Sequence, residues 1–279
     1  MTAAPSLPEI KVDPNASAAR AREFLERDRI MAAYALADID QAEVERSRWW
    51  VAQRDGELQA VALVVEGLPF RPCFATGSLD ALAAIFREGV REPRILLATV
   101  PRCRPAIETT YRFERVDYMR RMAVNVRTFR PRVLHKVVRL GAADLDAMID
   151  LYGHASRSYF TPDRLQREIY FGIYQGGALV SAAGTHVRST RSSIAAVGNV
   201  LTRLAYRGRG MATSSTAAVT EAALEEHDDV VLNVRQDNAP AIAVYEGLGY
   251  TTHASFIEGP AVRRAAWERL FGALKERRP

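Results

Sequence analysis

Residues 202–212 read TRLAYRGRGMA, and the first chemistry that the sequence offers lies there. Arg207, Gly208, Gly210 and Ala212 form the pattern R-G-x-G-x-A, between an apolar run that reads as a strand (193–202) and a segment that reads as a helix (210–226). Small residues at this junction let a ligand approach the backbone. The first N–H groups of a helix have no partner inside it, and the helix dipole adds positive potential. The combination suits a phosphate or pyrophosphate. The spacing is neither a P-loop, which needs G-K-[ST], nor the dinucleotide fingerprint G-x-G-x-x-G. Taken alone, the segment is also compatible with an ordinary glycine-rich turn carrying surface arginines.

A second stretch, LNVRQDNAPAIAVYEGLGY over 232–250, narrows the choice. Asn238 is suited to an N-cap and Pro240 to the first helical turn. Ile242, Tyr245 and Leu248 recur at helical spacing, and Gly249 is a C-terminal stop. With these residues in view, the sequence resembles the GNAT superfamily of acyl-CoA-dependent N-acetyltransferases. The resemblance rests on Arg207-Gly208-Arg209-Gly210-Met211-Ala212, which matches [RQ]-x-x-G-x-[GA]. It rests equally on Asn238, Ala241, Tyr245, Gly249 and Tyr250, which match N-x-x-A-x-x-x-Y-x-x-x-G-[FY]. It covers residues 137–258.

The resemblance implies an α/β (α+β) fold of two GNAT-like lobes, each a mixed, mostly antiparallel sheet flanked by helices. It implies a sheet that splays open beyond the strand ending near Thr202, with acetyl-CoA as cosubstrate in the resulting V. Leu201, Thr202 and Arg203 would pair with pantetheine through their backbone. Arg207, Gly208, Arg209, Gly210, Met211 and Ala212 would hold the pyrophosphate. Asn238 and Ala241 would lie along the pantetheine arm. Tyr245 would face the thioester sulfur and protonate the leaving thiolate, a role that a phenol can fill because it stays protonated at neutral pH. The reaction implied is direct acetyl transfer to a primary amine in a ternary complex; the alternative is a non-catalytic acyl-CoA sensor or assembly module.

One family feature is missing. Some members carry a glutamate base eleven residues before the first Arg or Gln of the phosphate motif, and Ala196 stands there. Residues 196, 198, 200 and 202 share one strand face, and none can take a proton. His186, on the neighbouring strand, is a candidate base because imidazole titrates near neutrality; packing at the strand end is the competing explanation. His154 is another, in the loop 154–163. Tyr159 and Phe160 in that loop are candidates for lining the acceptor pocket, or for aromatic packing.

These residues need elements to position them. Helical patterns fall at 18–29, 40–45, 78–88, 105–112, 142–152, 164–169, 210–226 and 239–248. Strand patterns fall at 48–54, 57–66, 94–100, 117–126, 137–140, 170–174, 178–187, 193–202, 230–234 and 251–257. Asp55-Gly56 reads as a tight hairpin turn. The order of elements in the first half repeats in the second, and RILLATV-PRCR-PAIETTY echoes VVLNV-RQDN-APAIAVY, which reads as a diverged internal duplication. The first half lacks the R-x-x-G-x-[GA] loop. The expected layout is therefore a tail (1–17), a degenerate GNAT-like lobe (18–130), a catalytic acetyl-CoA-binding domain (131–259) and a C-terminal amphipathic helix (260–279).

Composition bounds the rest. The chain has 279 residues, 48% hydrophobic and 25% charged, enough to fill one or two cores. No stretch of 18 apolar residues occurs, so no membrane span is expected. No secretory signal is read at the N-terminus, and the only cysteines, Cys73 and Cys103, are not in a C-x-x-C, so a cytoplasmic protein is expected. The five histidines lack metal-ligand spacing, so no metal is expected. The net charge of +5 comes almost wholly from arginine, scattered among 33 acidic residues. That argues against nucleic acid as a partner. The expected partner is a small-molecule or peptide amine, and the expected state a monomer or homodimer.

Overall fold

The structure is a computed structural model that describes residues 9–40, 47–66 and 70–265. The chain divides into two compact units. Of the described residues, 9–29, those within 38–119 and 255–265 form the first; 30–37 and 120–254 form the second. This partition departs from a cut near residue 130. Strand pairing decides it, because the end of the last strand closes the first unit.

In the first unit, β1 (Lys11–Asp13), β2 (Ser47–Arg54), β3 (Glu57–Val65), β4 (Pro72–Gly77) and β5 (Arg94–Thr99) lie in chain order. The far edge of β5 is taken by β13 (Thr251–Arg263), paired antiparallel from Ile257 opposite Thr99 to Val262 opposite Arg94. The β2–β3 turn is Asp55-Gly56, with φ of 51° and 85°, the geometry that favours Asp-Gly in two-residue hairpins. Helices α1 (Ala18–Leu25), α3 (Leu79–Glu88) and α4 (Arg104–Glu108) belong to this unit, and α2 (Ala33–Asp40) precedes β2. The apolar stripe of α3 (Leu82, Ile85, Phe86) packs with Trp50, Ile95 and Tyr111.

The second unit orders its strands β7 (Asp117–Asn125), β12 (Asp229–Arg235), β11 (Ile194–Thr202), β10 (Ala178–Ser189), β9 (Tyr170–Gln175) and β8 (Val138–Leu140). Pairing is antiparallel from β8 to β11 and parallel between β11 and β12. Helices α7 (Met211–Leu224) and α8 (Ala239–Gly247) share one core with Ala195, Val197, Val230 and Leu232. Helices α5 (Leu145–Tyr152) and α6 (Pro162–Arg167) pack with Leu140, Tyr170 and Leu179.

The duplication is visible as topology. In both units an antiparallel hairpin leads to a third strand, then a helix, then a strand parallel to the third: β2-β3-β4-α3-β5 and β9-β10-β11-α7-β12.

Several elements differ from their sequence patterns. Lys11–Asp13 is strand, not tail: three half-exposed residues carry too little alternation to read. Helix α2 was not expected, since MAAYALA is apolar on almost every side and shows no polar stripe; its burial explains this. Of the helix expected at 40–45, residues 41–46 lie outside the described residues. Pro72–Gly77 is strand β4 although Pro and Gly bracket it. The helix expected at 105–112 is only Arg104–Glu108, and Tyr111–Phe113 is a short strand, β6, on β13. Strand β13 runs to Arg263, so 260–263 are not helical, and the remainder of the expected C-terminal helix beyond 265 lies outside the described residues. Among the described residues, no helix is long and apolar enough to cross a membrane.

The end of α8 sets a stability test. Gly249 has φ of +92°, and a Cβ there would come 1.9 Å from the Thr128 carbonyl oxygen. Gly249→Ala is expected to destabilise the second unit by at least about 1–3 kcal/mol, from the backbone strain alone. Chemical denaturation of wild type and variant measures it; an unchanged midpoint would refute the reading.

Candidate functional site

Strands β11 and β12 pair only from Ile194 opposite Asp229 to Val197 opposite Leu232. Both continue further, β11 to Thr202 and β12 to Arg235, without a ladder between them. The parting follows a bulge. On the other side of β11 the register slips between Ala182 opposite Leu201 and Gly184 opposite Gly198. Residues 199 and 200 thus face the single residue 183, and such an insertion bends and twists its strand. Asn199, at φ +51°, carries the bulge. A V of unpaired backbone opens beyond it. Thr202 is buried and its hydroxyl meets Ser181 Oγ at 2.8 Å. Leu201 is half-buried.

The glycine loop stands at the mouth of the V. Gly208 and Gly210 have φ of +74° and +77°. Gly210 caps α7, and the first bond of that helix runs from Ser214 N–H to Gly210 C=O at 3.1 Å. The N–H groups of Met211, Ala212 and Thr213 therefore precede the helical ladder. A Cβ on Gly208 would meet nothing within 4 Å, so the backbone is open there. Arg207 Nε donates to Thr202 C=O at 3.1 Å, and Arg209 lies over the Tyr206 ring. Arg203 is held by Leu179 C=O and Asp150. The Met211 side chain is buried with Ile173 and Val180. The stretch 201–213 holds three arginines and no carboxylate.

Helix α8 begins at Asn238, whose Oδ1 accepts the Ala241 N–H at 3.3 Å. One turn on, Ala241 is half-buried. Tyr245 is 7% exposed and its ring packs edge-on to Tyr250 at 6.1 Å. The Tyr250 hydroxyl is taken by Thr220, whereas the Tyr245 hydroxyl makes no hydrogen bond among the described residues. Burial pushes the Tyr245 phenol up to about 12, so it stays protonated well above neutrality.

The opposite face of the sheet holds the other candidates. Ala196 is buried with Ile194, Val231 and Ala33. The His186 ring lies over Gly198, where a Cβ would meet its Cε1 at 2.5 Å. Its Nδ1 is 3.2 Å from the Tyr34 hydroxyl. Burial lowers the His186 pKa and the nearby Arg164 lowers it further, against a hydrogen bond to Asn199 that raises it, so the ring is neutral at pH 7. Tyr159 is half-buried and its hydroxyl receives Arg164 Nη2 at 2.7 Å. Phe160 is 3% exposed, packed against Tyr152, Tyr159 and Tyr170, and its ring fills the α5–α6 core. His154 is exposed beside Arg157.

Two residues escaped the sequence reading. One is Asn199, for which Gly198-Asn199 inside an apolar strand is the available signal, since a strand glycine often marks a bulge. The other is Asn233, the first β12 residue past the ladder. It shares the Val231 face by strand alternation, and its buried Oδ1 has no hydrogen-bond partner. No sequence pattern singles it out.

The first unit closes the equivalent gap. There β4 enters α3 directly through Gly77-Ser78, with no intervening loop. Thr99 Oγ1 donates to Ala75 C=O at 2.7 Å, and Cys103 Sγ to Gly77 C=O at 3.5 Å. Both side chains are fully buried and stitch β5 and its following turn to β4.

A splayed parallel strand pair with a glycine loop at a helix start defines an open cleft in an α/β protein, with a helix N-terminus that suits a phosphate group. The comparisons bear on the fold. Residues 170–256 match the family described as FR47-like protein. No curated protein sequence matches the chain. Among solved structures, a Drosophila protein is similar with a TM-score of 0.63 at 14% identity, over 89% of this chain and 98% of that one. A GCN5-related N-acetyltransferase from Sphaerobacter thermophilus aligns with a TM-score of 0.59 at 13% identity, over 92% and 97%. A tandem GNAT protein from the clavulanic acid biosynthesis pathway aligns at 0.54 and 13%, over 91% and 98%. The chain has the GNAT-superfamily fold in a tandem arrangement of two lobes, and the FR47-like segment falls in the second.

Two outcomes are expected from this geometry. Titration calorimetry with CoA gives one site per chain; two sites would show that the stitched first unit also binds. Gly210→Asp places a side chain and a negative charge at the helix start, and weakens CoA by about tenfold or more. A folded variant with wild-type affinity would remove the loop from the phosphate site.

Proposed function

We propose that the second unit transfers an acetyl group from acetyl-CoA to a primary amine on a small molecule or peptide. The observation that carries the reading is the unpaired V between β11 and β12, with the Gly208–Gly210 loop at its mouth. Beyond Val197, β11 has no ladder with β12, and the edge of 201–203 on that side suits the amides of a pantetheine arm, although Thr202 C=O already accepts from Arg207 and Arg203 N–H donates to Val180 C=O. The open N–H groups at the start of α7, with Arg207 and Arg209, suit a pyrophosphate. Asn238 keeps its amide N–H donors uncommitted while capping α8, so it can also donate to the arm.

The amine lone pair attacks the thioester carbonyl, the C–S bond breaks, and the leaving thiolate takes a proton. Tyr245 supplies that proton: it is buried, protonated and without a hydrogen-bond partner of its own. The amine must also shed a proton. With Ala196 in place of a carboxylate, that proton passes to water or to a neutral group on the opposite face, of which His186 is the strongest base. The acceptor lies on that face, against Tyr159.

Tyr245→Phe tests the central step. It keeps the ring and removes the hydroxyl, so CoA affinity holds while the transfer rate falls by about 10²-fold, within the usual range for general acid catalysis. Because its pKa is raised from 10.0 to about 12, the wild-type rate shows no alkaline loss from this group below about pH 11. The measurement is CoA release from acetyl-CoA across a panel of amino acids, polyamines, aminoglycosides and peptides, with products read by mass. CoA binding without turnover on any amine would favour a sensor, an outcome that Ala196 makes worth testing. A Tyr245→Phe enzyme with full rate would assign the acid elsewhere.

A further inference from the structure

Asn199 is the meeting point of three tyrosines from three separate segments. Its Nδ2 donates to Tyr159 Oη at 3.0 Å and to Tyr170 Oη at 3.1 Å. The His186 ring lies beside it, over Gly198 and edge-on to the Tyr159 ring at 6.2 Å. The Asn199 backbone C=O accepts from the Tyr152 hydroxyl. Tyr152 ends α5, Tyr159 precedes α6, Tyr170 begins β9 and His186 lies on β10. Arg164 of α6 braces the set by donating to Tyr159 Oη and to His186 C=O, the latter at 2.9 Å.

The residue type is tightly constrained. At φ +51° a β-branched or bulky residue is strained, while Gly, Asn and Asp are tolerated. Glycine would make the bulge but has no side chain. Aspartate has no N–H to give two phenols. Only asparagine offers both the backbone freedom and the two donors for Tyr159 and Tyr170.

We propose that Asn199 is a positioning residue that couples the two sides of the site. Its backbone opens the V that takes the thioester, and its side chain fixes the loop 153–161 on the acceptor face through Tyr159, whose ring in turn packs edge-on to His186. Filling the cleft then orders the acceptor loop, so that the amine meets a formed pocket only when acyl-CoA is present. This rests on the acetyl-transfer reading.

The test uses CoA as the probe and hydrogen–deuterium exchange as the readout, so it needs no known acceptor. In the wild type, CoA slows amide exchange over 153–161 by about fivefold or more, the lower end of ordinary coupling between sites. Asn199→Gly keeps the bulge, so CoA affinity stays within about threefold, but the CoA-dependent protection of 153–161 is lost. Asn199→Leu strains the bulge itself and weakens CoA about tenfold. If Asn199→Gly does not fold, the double variant Tyr159→Phe, Tyr170→Phe removes the same partners without touching β11, and the same loss of protection is expected. Full protection in either variant overturns the coupling. So does wild-type CoA binding that leaves 153–161 unchanged. A folded Asn199→Leu protein with wild-type affinity overturns the backbone half. A wild-type protein that binds no CoA sinks the acetyl-transfer reading instead, which separates the two failures.

Discussion

The one extra residue in β11 is the constraint on which the second unit depends. A regular strand would carry its parallel ladder with β12 to the end and leave no backbone unpaired. The bulge at Asn199 ends that ladder after Val197, four residues in, and turns the rest of β11 away. Everything the site needs follows from that parting. Strand edges no longer paired with each other line the gap, the glycine loop stands at its mouth, and the start of α8 lies beyond β12. A positive φ at a non-glycine residue costs of order 1–3 kcal/mol and persists only where its surroundings over-determine it. Here three tyrosine hydroxyls do so.

The two units show the same topology used in opposite ways. In the second, the third strand and its parallel neighbour separate, and a loop of small and basic residues bridges to the helix. In the first, the strand passes straight into α3 at Gly77-Ser78, and Thr99 and Cys103 close the gap with buried hydrogen bonds. Gly77 is itself pinned, since a Cβ there would come 2.4 Å from Ala60. Duplication supplies two copies of a scaffold, and a few side chains at the strand ends decide which copy has an open cleft.

The charge pattern divides likewise. Around the glycine loop the arginines meet backbone carbonyls or aromatic faces rather than carboxylates, apart from Arg203 with Asp150. That leaves positive potential where a polyanion would sit. On the opposite face Tyr34 meets His186, Asn199 meets Tyr159, and Arg164 Nη2 donates to Tyr159 and to His186 C=O in a partly buried network, while Arg164 Nε has no partner among the described residues. Such a network fixes geometry because each partner lost would strand another.

The glycine loop, the Asn238 cap and the Tyr245 helix were legible in the sequence because each depends on local chemistry. Positive φ needs glycine, a helix start needs a cap, and a helical face repeats every three or four residues. The Asp55-Gly56 hairpin and the strands of the second half were legible for the same reason. Asn199, Asn233, α2 and the course of β13 were not. Asn199 gains its meaning from Tyr152, Tyr159 and Tyr170, which lie 29–47 positions away in sequence and meet only when β9, β10 and β11 pair and α5 packs with them. Asn233 matters because the ladder stops one residue before it, an event set by the neighbouring strand. Helix α2 carries no amphipathic signature because it is covered on nearly all sides. The last strand reads locally as an end to the second half, yet its final residues pair with β5. Local sequence determined which segments could bind and catalyse. Long-range pairing, which no short window of residues encodes, decided which strands part and which side chains meet.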